Sequence, residues 1–212
     1  MSDWVRKRFA GAGLTQSPPG PYFAVLRAKY RGAVLLCIDV SGSMSGMPLR
    51  QAIEGGTQFL AEAFGAQYDC GLILWHHGVE AYVPLGTSRS ELADRLEAAR
   101  STGGNNLMPT LQIAKQDLAP LTGDRVLCVF GDGDIGDPAT AVPAARELCA
   151  LGVRIVVRGL GSGATEALSA LVCPGQRDDE QLIEDVQAIS TGIASMAKGL
   201  TAARRTIART ER

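Results

Sequence analysis

The sequence predicts an α/β domain: a doubly wound, mostly parallel sheet with one antiparallel edge strand and helices on both faces. Three observations lead there. Short continuous apolar runs, "AVLLCI" (33–38), "CGLILW" (70–75), "RVLCVF" (125–130) and "VRIVVRGL" (153–160), read as strands covered on both sides. Segments with helical apolar spacing alternate with these runs, the pattern of a parallel sheet wrapped by crossover helices. Two of the runs also end in acid, at Asp39 and Asp132, on the edge where ligands bind in open α/β sheets.

Taken in order, residues 1–31 form an N-terminal extension that is locally basic and interrupted by the turn-rich "TQSPPGPY". Residues 32–200 form the domain. After the first strand and a polar loop, Pro48 suits the first position of a helix. Leu49, Ala52, Ile53, Phe59, Leu60 and Ala63 carry that helix to about Phe64. The strand at 70–75 is followed by "VEAYVPL" (79–85) after only "HHG". A gap that short excludes a parallel crossover, so 79–85 pairs antiparallel as an edge strand. "RSELADRLEAAR" is a helix with Ser90 as a candidate N-cap. Further helices are expected at about 107–119, 139–151 and 164–172. A long last helix at about 179–200 shows a stripe through Leu182, Ile183, Val186, Ile189, Ile193, Met196 and Leu200. Residues 201–212 read as a frayed basic tail.

Composition narrows the function classes. The hydrophobic content of 46% and charged content of 20% are those of a globular chain. A net charge of −1 gives no global argument for nucleic acid or membrane. No apolar stretch approaches the ~20 residues needed to span a bilayer. The basic N-terminus has no apolar run behind it, so a secretory signal is not expected. The five cysteines, Cys37, Cys70, Cys128, Cys149 and Cys173, are odd in number and form no C-x-x-C. They read as reduced core thiols and imply a cytoplasmic setting.

The chemistry concentrates in "DVSGSMSG". Asp39, Ser41 and Ser43 alternate, with Gly42 freeing the backbone between them. Their oxygens are hard ligands, suited to Mg²⁺, Mn²⁺ or Ca²⁺ and poor for copper or zinc. Neutral hydroxyls leave a cation less neutralised than an all-carboxylate cage does, so it would seek an anionic ligand from outside. Spacing alone leaves a second reading open, in which these residues only turn the chain and cap the helix after Pro48.

"CIDVSGSMSG", then "GGNNLMPTL", then "VLCVFGDGDIGD" together resemble a von Willebrand factor type A domain with its metal-ion-dependent adhesion site. The resemblance covers roughly 33–175. It implies a metal set in which Asp39, Ser41 and Ser43 match the first motif and Asp132 the last. The middle motif departs: where relatives carry threonine after Gly-Gly, this chain has Asn105. Thr102 and Thr110 are the alternatives, although the register with Gly103-Gly104 favours Asn105. An amide oxygen also binds hard cations. The resemblance further implies a non-catalytic module, in which a Glu or Asp of a protein partner completes the coordination of Mg²⁺ (or Mn²⁺ or Ca²⁺). Intracellular bacterial relatives often work with AAA+ ATPases or in stress and defence systems, and a partner of that kind is the expectation. A metal-free scaffold is the competing outcome within the same fold.

Other motifs carry less. Asp132, Asp134 and Asp137 suggest a magnesium-dependent phosphatase or phosphotransferase with Asp132 as nucleophile, but no matching downstream lysine and acidic pair follows. The same acids lack the bidentate Glu of an EF-hand loop. His76 and His77 read as a solvated hairpin on the rim of the proposed site, with no third ligand for zinc. "RGLGSGATE" (158–166) lacks the G-K-[ST] of a phosphate loop and the closing Gly or Ala of a dinucleotide fingerprint.

Overall fold

The computed structural model describes residues 31–161, 167–176 and 180–210. Among them the strands are β1 (Gly32–Asp39), β2 (Tyr68–Trp75), β3 (Val79–Val83), β4 (Arg125–Gly131), β5 (Arg154–Leu160) and β6 (Glu180–Ile183). The helices are α1 (Met47–Gly65), α2 (Arg89–Glu97), α3 (Met108–Leu118), α4 (Pro138–Ala150) and α5 (Ile189–Thr210). One sheet has the order β3-β2-β1-β4-β5-β6. All neighbours are parallel except β3, which runs antiparallel to β2 at the edge, as the three-residue gap requires. The chain winds outward from β1 in both directions. The crevice between the carboxyl ends of β1 and β4 is therefore the topological switch point.

Every residue of β1 is buried, because both faces of the strand are covered. Val34, Leu36 and Ile38 share one layer with Phe59, Leu60, Ile193 and Met196. Leu35 and Cys37 share the opposite layer with Leu111, Leu118, Ala145 and Leu148. On the first side α1 and α5 pack closely: a Cβ added at Gly55 would lie 2.5 Å from the carbonyl oxygen of Ser190. Glycine is what lets the two backbones approach there.

Three expectations need correction. The last helix does not begin at 179. Residues 180–183 add to the sheet edge as β6, with Leu160 opposite Ile183. Asp185 then accepts from the Gln187 N–H at 3.0 Å to start a 3₁₀ turn at Val186–Ala188. Four residues of helical spacing are a weak signal against an open strand edge. The helical backbone also passes residue 200 and reaches Thr210. The cap of α2 is Ser88, whose Oγ accepts from the Glu91 N–H at 3.3 Å, while Ser90 lies inside the helix. Residues 1–30 and 162–166, which include most of the basic extension and the glycine loop, lie outside the described residues, and 167–169 are helical.

The third correction concerns the thiols. Cys37, Cys70 and Cys128 are buried free thiols, as expected. Burial pushes the Cys70 thiol up to about 12 and the Cys37 thiol well above its usual range. Cys149 and Cys173, however, are joined in a disulfide with their Cα atoms 5.5 Å apart. The end of α4 and the segment after β5 converge there beside Val153, beyond the reach of any reading of each cysteine within its own run. The bridge withdraws the thiol argument for a reducing compartment. Among the described residues no helix is long and apolar enough to cross a membrane.

Candidate metal centre

After β1 the chain turns, with Val40 and Met44 still buried in the core. Asp39 is fully buried, and its Oδ1 accepts the Ser41 N–H at 2.8 Å, closing the turn that leads into a 3₁₀ segment at Gly42–Met44. That turn brings Ser41 Oγ and Ser43 Oγ to 3.0 Å from each other. Ser43 Oγ in turn donates to Asp132 Oδ2 across the crevice.

Asp132 follows β4 directly. Its N–H lies 3.4 Å from Asp39 Oδ2. This approach depends on Gly131, where an added Cβ would stand 3.1 Å from Asp39 Oδ2 and 3.0 Å from the Trp75 ring. Trp75, register partner of Asp39 on β2, is fully buried beside Gly131.

The third element is the loop before α3. Backbone bonds tie it down at successive points: Thr102 N–H to Val40 O at 2.8 Å, Gly42 N–H to Gly103 O at 3.0 Å, Asn106 N–H to His76 O at 2.8 Å, and Leu107 N–H to Ile135 O at 3.1 Å. Held in this way, Asn105 Nδ2 sits 3.3 Å from Asp39 Oδ2 and 3.5 Å from Asp132 Oδ1. Thr102 is exposed, and Thr110 is buried in α3 with no hydrogen-bond partner for its hydroxyl among the described residues. The position facing the carboxylates is therefore Asn105. All five predicted residues, Asp39, Ser41, Ser43, Asn105 and Asp132, meet at one point.

The cluster brings two carboxylates close together. Burial raises the Asp39 carboxyl to about 6; the Ser41 hydrogen bonds oppose the shift and the nearby Asp132 carboxylate adds to it. Among the described residues no lysine or arginine forms an ion pair with either acid. No described group of three His, Cys, Asp or Glu side chains is placed to hold a metal. The donor set is instead two carboxylates and two hydroxyls, which suits a hard divalent cation at this rim.

Neighbouring polar residues have other work. Asp134 Oδ1 accepts the Gly136 N–H at 2.9 Å, and Asp137 Oδ1 caps α4 by accepting the Ala139 N–H at 3.0 Å. The Asp134 N–H also reaches Asp132 Oδ1 at 3.3 Å. His76 is not a solvated turn residue. It is buried, its Nδ1 accepts the Gly78 N–H at 3.2 Å, and its Nε2 lies 3.2 Å from Glu80 Oε2. His76 also anchors the asparagine loop through its carbonyl, a role that no periodicity signals. The exposed His77 ring stacks on it at 4.3 Å and borders Gly103.

Residues 34–134 match the family model of the von Willebrand factor type A domain. The fold likeness reaches further along the chain. The von Willebrand factor domain of the type V pili tip protein of Porphyromonas gingivalis superposes with a TM-score of 0.72 at 12% identity, covering 82% of this chain and 96% of that one. A von Willebrand factor type A protein of Catenulispora acidiphila gives 0.65 at 15% identity, covering 81% and 43%. Proximal thread matrix protein 1 of the mussel byssus, in a form with a zinc-occupied metal-ion-dependent adhesion site, gives 0.67 at 14% identity, covering 82% and 48%. The chain thus spans less than half the length of the last two. No curated protein matches its sequence significantly. The described domain has the von Willebrand factor type A fold, a six-stranded mixed sheet with helices on both faces.

Proposed function

We propose that this domain is a non-catalytic, divalent-cation-dependent protein-binding module that takes an acidic side chain of a partner. The observation that carries the reading is the convergence of Asp39, Ser41, Ser43 and Asp132 at the switch point, where among the described residues no lysine or arginine pairs with either acid. A divalent cation there would be held by the two hydroxyls and by the carboxylates, and its hardness favours Mg²⁺, Mn²⁺ or Ca²⁺. Bound, it supplies positive charge and an open coordination position. This chain's Asp39, Ser41, Ser43 and Asp132 would orient it. A carboxylate of a protein partner is the ligand that completes such a site. The solved structures of similar fold include a pilus tip domain and a byssus protein with a zinc-occupied metal-ion-dependent adhesion site; those properties are theirs, and the second supports a metal reading here. A partner from an ATPase-linked or defence system rests on the resemblance alone.

The test uses a short Glu-bearing peptide and its Gln counterpart. With Mn²⁺ the Glu peptide should bind, EDTA should release it, and Ser41→Ala with Ser43→Ala should lose it. Equal binding of both peptides, or binding in EDTA, contradicts the reading. A Mg²⁺-dependent phosphoester hydrolysis abolished by Asp132→Asn would instead establish an enzyme.

A further inference from the structure

We infer that Asn105 is a built-in stand-in for the cation: without metal its amide group clamps Asp39 and Asp132 together, and a cation must displace it to bind. The inference rests on the reading of this rim as a cation site and adds a competitor for that site from within the chain.

The chemistry of the amide decides which end faces inward. Two carboxylates are acceptors, so an amide oxygen between them would be repelled and the NH₂ end attracted. That group has two hydrogens, one for each carboxylate. The distances of 3.3 Å to Asp39 Oδ2 and 3.5 Å to Asp132 Oδ1 are long for single hydrogen bonds and suit one nitrogen shared between two acceptors. A threonine hydroxyl has one hydrogen and cannot bridge both acids.

Position supports the same role. The loop carrying Asn105 is fixed by backbone bonds on either side, to Val40, Gly42, His76 and Ile135, so the amide is held over the acids. A Cβ at Gly136 would lie 3.0 Å from the Asn105 backbone carbonyl oxygen, so the loop after Asp132 packs against the Asn105 backbone. Among the described residues Asn105 is the side-chain nitrogen donor to these two acids. Its partial positive charge lies where a cation's charge would act.

Two consequences separate a clamp from a ligand. Removing a clamp weakens the cation-free protein and strengthens cation binding by the same factor, since the competitor is gone. Removing a ligand weakens cation binding and leaves the cation-free protein unchanged.

The experiment compares the wild type with Asn105→Ala, Asp39→Ala and the double variant at pH 8. Cation-free folding equilibria are measured in EDTA, and Mn²⁺ binding is measured by calorimetry. The clamp predicts that Asn105→Ala lowers the cation-free folding equilibrium about tenfold and tightens Mn²⁺ binding about tenfold, each equivalent to about 1.4 kcal/mol. It also predicts that much of the stability loss disappears in the Asp39→Ala background, since the two residues are coupled. An unchanged cation-free equilibrium, an equal loss in both backgrounds, or weaker Mn²⁺ binding by Asn105→Ala overturns it. If neither wild type nor Asn105→Ala binds Mn²⁺, the metal reading fails. The coupled stability loss then still decides whether the amide bridges the acids.

Discussion

At the amino ends of β4 and β5, polar side chains close on the fold itself. Arg125 donates to the carbonyls of Ala119 and Leu151, Arg146 donates to that of Val172, and Arg154 lies 3.7 Å from Asp124. Tyr68 reaches Asp124 and the Leu200 carbonyl, and the Cys149–Cys173 bridge borders a cavity of about 420 Å³ beside them. At the carboxyl ends of β1 and β4 the polar groups close on one another instead. Two acids, two hydroxyls and an amide face a common point, and one acid is held near 6 by burial. The same sheet thus has one rim whose charges serve stability and another whose charges oppose it. Carboxylates perturbed in this way cluster at functional sites.

The amino rim is the more sensitive of the two to losing a single contact. Cys149→Ser with Cys173→Ser removes a crosslink over 24 residues and should cost about 3 kcal/mol of stability, read from denaturant unfolding. Cation binding should be unaffected, since the bridge lies at the other end of the strands. Loss of the cation response in that variant would mean the two rims are coupled.

At the carboxyl rim the sign reverses with pH. Asp39 has a folded pKa of about 6 against 3.8 for the free side chain, so its ionisation favours the unfolded chain. The stability it contributes is present below about 3.8 and is lost as pH rises through about 6. Between pH 4 and pH 8, cation-free Asp39→Ala should therefore gain on the wild type by about 2 to 3 kcal/mol, since each pKa unit is worth about 1.4 kcal/mol. Cation binding at pH 6 should also release protons, and at pH 8 almost none, by calorimetry in buffers of differing ionisation heat. A flat difference across that range would remove the strained carboxylate from the account.

The smallest effect is local. Ser88→Ala should cost about 1 kcal/mol by removing the α2 cap, and Ser90→Ala much less, with no effect on cation binding.

How much of this was legible in the sequence varied with the range of the interaction. Asp39, Ser41, Ser43 and Asp132 were readable because each motif is local and each sits at the end of a buried run. The antiparallel β3 was readable because three residues cannot cross a sheet. The disulfide was not, because Cys149 and Cys173 meet only once α4 and the segment after β5 are placed on β5. Nor was β6, whose four residues take their state from the exposed edge of β5. Asn105 could be aligned to its position from Gly103-Gly104. Which end of its amide faces the acids depends on where Asp39 and Asp132 lie in space.

A cation cradle at the carboxyl rim differs from a mere turn in its response to metal. Thermal melts of the wild type and Asp39→Ala, with and without millimolar Mn²⁺ and the Glu-bearing peptide, test it most directly. A cation at 100 times its Kd stabilises the folded state by about 2.7 kcal/mol, so the account predicts a melting temperature that rises for the wild type and stays fixed for Asp39→Ala. Identical melts for the wild type with and without Mn²⁺ and peptide would contradict it and leave the serines as a turn.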